Sequence, residues 1–67
     1  MTSDLDIYRR ARTLIELHGD EAAIQAAYQA DAMLDRGNLD GTAVWRRIVA
    51  VIKELGQLEP AAGERRH

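Results

Sequence analysis

The sequence predicts an all-α fold: a small three-helix bundle with helices over about residues 4–18, 20–36 and 40–57. Three observations carry this. Apolar residues recur with the helical period, most clearly from Val44 to Leu58. Two short joints, His18-Gly19-Asp20 and Gly37-Asn38-Leu39-Asp40-Gly41, hold the glycines and side-chain acceptors that end one helix and begin the next. Each run between the joints is long enough for three or more helical turns. The expected division is a single helical domain over 1–58 and a disordered, flexible tail over 59–67, where Pro60, Gly63 and five ionisable residues crowd together.

The first helix, about Asp4 to His18, opens on Ser3, with Asp6 three residues on as a variant capping box. Asp4 and Asp6 both suit the positive end of a helix. Ile7, Tyr8, Ala11, Leu14, Ile15 and His18 share one face. Asp6 and Arg10 are spaced for a favourable ion pair along the helix. Gly19 can take the left-handed conformation that closes this helix, and Asp20 is the expected N-cap of the next.

The second helix, about Asp20 to Arg36, has an inner face of small residues, Ala22, Ala23, Ala26, Ala27 and Ala30, ending in Met33 and Leu34. Alanine buries little, but it lets another helix approach closely. Ile24, Tyr28 and Asp31 fall on a second arc. Gly37 is the expected closing glycine, with Leu39 packing back on Met33.

The third helix is the one around which the others arrange. Val44, Trp45, Ile48, Val49, Val51, Ile52, Leu55 and Leu58 share one broad arc, opposite Arg46, Arg47, Ala50, Lys53, Glu54 and Gln57. Period-two alternation fails here, because Arg46-Arg47 and Ile48-Val49 are like neighbours. Asp40 is the expected N-cap, and Leu39 with Val44 has the spacing of a hydrophobic staple. The β-branched content lowers intrinsic helix propensity, so this helix depends on packing.

Size and composition narrow the function. A chain of 67 residues makes one marginal domain, and no cysteine is present to staple it by disulfides or bind metal as thiolate. Two histidines, one at the end of the sequence, do not make a structural zinc site. Oligomerisation is the helper left. The net charge of −2 is not that of a nucleic-acid-binding footprint. No charged-then-apolar leader and no membrane-length apolar run is visible, so the expected location is cytoplasmic, with no membrane partner.

Asn38-x-Asp40-Gly41 has a trace of a calcium loop, but Arg36 and Arg47 stand where ligands belong. Helix capping explains the segment instead. His18 reads as a half-buried histidine at a helix end rather than a proton carrier, since no nucleophile or acid is placed to use it. Arg46 and Arg47 near the start of the third helix invite a helix-turn-helix reading. The acidic chain and the apolar helix argue against it, and a pair with Asp31, Asp35 or Asp40 is equally open. No phosphate loop, paired carboxylates or nucleophile–base pair appears, so no catalytic residue, cofactor, small-molecule substrate or metal site is expected.

Two segments together, His18-Gly19-Asp20-Glu21-Ala22-Ala23-Ile24 and Gly37 to Gly41 followed by Ala43-Val44-Trp45-Arg46-Arg47-Ile48, resemble a family of small uncharacterised helical proteins. Its members are bacterial, chiefly alphaproteobacterial, and form a domain of unknown function. The likeness covers roughly residues 8–55. It implies a short cytosolic bacterial protein and transfers no activity, ligand or catalytic residue.

The functional expectation is a non-enzymatic helical interaction module that binds a protein partner or itself, as a homodimer. The motive is an apolar arc on the third helix wider than its neighbours can cover. The partner-binding candidates are Tyr8, Ile24, Tyr28, Trp45, Arg46 and Arg47. The alternatives are a nucleic-acid-binding regulator using Arg46, Arg47 and the tail residues Arg65 and Arg66, and an accessory subunit completing another protein's site.

Overall fold

The structure, a computed structural model, describes residues 3–57. Within them the chain is all-α: α1 (Asp4–His18), a 3-10 turn (Gly19–Glu21), α2 (Ala22–Asp35) and α3 (Leu39–Gln57). The tail over 59–67, with Leu58, lies outside the described residues.

α1 begins as its sequence predicts. The Ser3 hydroxyl accepts a hydrogen bond from the Asp6 N–H at 3.2 Å, satisfying one of the donors a helix start leaves free. It ends at Gly19, whose φ of 57° is left-handed and whose N–H donates to the Ile15 carbonyl.

The second helix departs from expectation at its start and closes at its end as the sequence predicts. Asp20 is not its N-cap, and no side chain caps α2. The chain leaves Gly19 so tightly that a 3-10 turn forms, and the Ala22 N–H donates to the Gly19 carbonyl. A main-chain acceptor thus takes the place of the Asp20 carboxylate. At the far end the helix stops at Asp35. The Asn38 N–H donates to the Met33 carbonyl and the Gly37 N–H to the Leu34 carbonyl, both at 2.9 Å. With Gly37 at φ 76°, this is a Schellman closure.

The start of α3 corrects a second cap. Asn38, not Asp40, is the N-cap: its Oδ1 accepts from the Gly41 N–H at 2.8 Å. Its carbonyl accepts from the Thr42 N–H at 3.0 Å and from the Thr42 hydroxyl at 2.8 Å. One residue therefore closes α2 and opens α3, and the joint is shorter than two separate caps require. Leu39 is displaced by this economy. It is 69 % exposed, so it neither staples Val44 nor packs back on Met33. The Asn38 amide approaches the Met33 sulfur instead, at 3.7 Å.

The core joins Ile7 and Ala11 of α1, Ala22 and Ala26 of α2, and Ile48, Val51 and Ile52 of α3. Ala22, Ala26 and Ala30 are buried as predicted, so α2 and α3 lie close together and make the most extensive contact in the molecule. Leu34 does not finish that inner face, being 46 % exposed; the turn at Gly37 draws the chain away before it can pack.

α1 crosses this pair. Tyr8 and Arg10 are two positions apart, about 3 Å of helix rise, yet Tyr8 reaches Glu54 and Arg10 lies over Trp45. Those partners are separated by about 13 Å of rise along α3, so the contacts of α1 spread along α3 rather than meeting it at one point. Leu14 and Ile15 are the last α1 residues packed on the core. His18, beyond them, is exposed rather than half-buried.

Along the described part of the α3 arc, from Val44 to Leu55, the expected surplus of apolar surface is absent. Ile48, Val51 and Ile52 are 2–6 % exposed, and Val44, Trp45, Val49 and Leu55 are packed against them. Among the described residues the large apolar side chains left bare lie on α1, on α2 and at Leu39, the first residue of α3. A broad α3 arc is covered from two directions because α1 crosses it while α2 runs alongside.

Candidate interaction surface

The six residues singled out from the sequence fall into three groups. Ile24 and Tyr28 form the first. They stand one turn apart on the side of α2 away from Ala22 and Ala26, and are 51 % and 62 % exposed. Around them are Glu21, Asp31 and Asp35, all exposed. From Gly19 to Asp35 the sequence has four acids and no Lys or Arg. An apolar pair one helical turn long therefore sits on a helix whose charged residues are all acidic.

Tyr8 and Arg47 belong to a second group, between α1 and α3. The Tyr8 hydroxyl donates to Glu54 Oε1 at 3.2 Å, and Arg47 pairs with Asp4 at 3.3 Å. The negative charge of Glu54, and then the hydrogen bond to it, holds the Tyr8 hydroxyl above the ordinary phenol range, while the positive charge of Arg47 opposes this. Tyr8 is thus on the edge of the α1 face, tied to α3, rather than part of a patch with Ile24. Arg47 takes Asp4 rather than Asp31, Asp35 or Asp40, because the crossing brings the first turn of α1 beside it.

Trp45 is the third site. It is half-buried, with the Arg10 guanidinium 5.9 Å from its ring centroid, the geometry of a cation–π contact. Arg10 is therefore drawn to α3 and not paired with Asp6. Val44, Trp45, Ile48 and Ile7 line an open groove of about 240 Å³, with Asp6 and Arg10 at its margin. That is below the usual size of a pocket enclosing a small molecule. Arg46, next to Trp45, points outward and is exposed.

Sequence reasoning missed the Arg10–Trp45 contact and the exposure of Leu5 and Leu17, at 59 % and 70 %. Two apolar residues off the main stripe leave no periodic signal. A contact across a helix crossing leaves none either.

The polar groups perform structural tasks. The Ser3 hydroxyl caps α1, the Thr13 hydroxyl donates back to the Arg9 carbonyl and buried Thr42 serves the joint. Among the described residues no three His, Asp or Glu side chains gather as a metal site, and no helix is long and apolar enough to cross a membrane. Compared with known proteins, the chain matches no family model, no curated protein and no solved structure.

Proposed function

We propose that this protein is a non-enzymatic interaction module that works by presenting a helical surface, and that it self-associates as a homodimer. The observation that supports this is the pair Ile24 and Tyr28, both more than half exposed on one face of α2. A protein this small depends on every apolar side chain it can bury, and two large ones held in water on one face are a cost that an interface removes. In this reading the three helices act as a closed bundle, in the cytoplasm of a bacterium, as the family resemblance implies. The motive for association moves from α3 to α2, because α3 is already covered.

Sedimentation velocity and thermal melting, run from low to high micromolar concentration, test it. The expected result is a mass that grows with concentration and a melting temperature that rises with it. A constant monomer mass with a concentration-independent melting temperature overturns the proposal.

A further inference from the structure

The outward face of α2 and the outward face of α3 are complementary in spacing, size and charge. On α2, with Glu21 just ahead of it, the exposed stripe is Glu21, Ile24, Tyr28, Asp31. On α3 the exposed stripe is Ala43, Arg46, Ala50, Lys53. Both step by three, four and three residues, the intervals that keep side chains in line along a helix. Laid antiparallel, the stripes come into register. Glu21 meets Lys53, Ile24 meets Ala50, and Tyr28 meets Arg46. Asp31 meets Ala43, within a turn of Arg46. Bulky Ile24 falls opposite a small residue, the Tyr28 ring lies against a guanidinium, and the acids fall beside cations.

Charge decides among possible occupants of the α2 face. Two α2 faces placed together would oppose acids to acids, with no Lys or Arg between Gly19 and Asp35 to relieve them. The occupant must bring cations and leave room for Ile24. The α3 stripe has both properties, is exposed, and is present on every copy. We propose that the α2 face of one copy docks antiparallel on the α3 face of a second copy, with Asp31 beside Arg46 as a charge pair at one end of the contact. This rests on the self-association proposed above.

Charge reversal tests it. Asp31→Arg and Arg46→Glu alter exposed side chains outside the core, and circular dichroism checks that each variant keeps its helices. By sedimentation velocity, each single reversal should weaken self-association about tenfold or more, and the double variant should recover to within about threefold of the parent. If the parent associates but the single reversals leave the affinity unchanged, or the double variant is weaker than both, the assigned faces are wrong and self-association stands. If the parent is a monomer throughout, self-association and this contact fall together. A monomer whose Ile24 and Tyr28 signals shift with an Arg/Lys-rich amphipathic peptide would also overturn the second copy as the occupant, in favour of a basic partner helix.

Discussion

Asn38 carries more of the fold than its size suggests. Its side chain caps α3 through Gly41, its N–H closes α2 through Met33, and its carbonyl accepts the hydroxyl of buried Thr42. Asn38→Ala removes the side-chain acceptor and should cost about 1–2 kcal/mol in urea denaturation. Asn38→Asp keeps an acceptor at the same place and should stay within about 0.5 kcal/mol of the parent. Equal losses for the two would mean that the cap bond contributes little. Tyr8 gives a second test at this scale. Its folded-state pKa is raised, chiefly by the charge of Glu54. The folded state therefore holds the phenol proton more tightly than the unfolded chain does. This contribution is complete below the ordinary phenol value of 10.0 and is lost as pH rises through the higher folded value. In a Tyr28→Phe background, which leaves one phenol, the absorbance change at alkaline pH should move to lower pH on Glu54→Gln. No movement would show that the Glu54 contact does not persist in solution.

At the scale of the element, the sequence displayed the helices well and their junctions poorly. α1 and the apolar arc of α3 could be read because a 3.6-residue repeat survives any arrangement of neighbours. Asp20 and Asp40 misled because either has the right chemistry for an N-cap, and which residue serves depends on how tightly the chain turns before it. The partner candidates divide along the same line. Ile24 and Tyr28 were legible as off the alanine face of their own helix. The partners of Tyr8, Arg47 and Trp45 depend on the crossing of α1 over α3, which no local pattern encodes. The two helical glycines of α3 turn the joint into a measurement. A Cβ on Gly41 would lie 2.8 Å from the Met33 sulfur and 3.1 Å from the Asn38 side chain, whereas one on Gly56 would meet nothing within 4 Å. Met33 can move, but Asn38 is held by its capping bond. Gly56→Ala should therefore stabilise by about 0.4–1 kcal/mol. Gly41→Ala should destabilise by about 1 kcal/mol despite the same gain in propensity. A rise in melting temperature for both variants would show that the joint is looser than drawn.

For the whole molecule, the core is narrow and the surface that could extend it is elsewhere. Three of its buried members are alanines of α1 and α2, Ala11, Ala22 and Ala26, which bring helices close while removing little apolar area from water. The larger share of burial falls to Ile7, Ile48, Val51 and Ile52. A domain of this length has a total stability of about 3–10 kcal/mol on the usual per-residue scale. Ile48→Ala deletes three carbons at a site 3 % exposed and should cost about 2–4 kcal/mol, a large fraction of that total. Ile24→Ala makes the same deletion at a site 51 % exposed and should cost the dilute monomer no more than about 0.5 kcal/mol. The order should reverse for association: Ile24→Ala weakens it, while Ile48→Ala acts on it only through unfolding. Urea denaturation at low micromolar concentration reads the first comparison, and sedimentation of the folded fraction reads the second. If Ile24→Ala destabilised the dilute monomer as much as Ile48→Ala does, Ile24 would belong to the core, and the α2 face would no longer be surplus surface awaiting a partner.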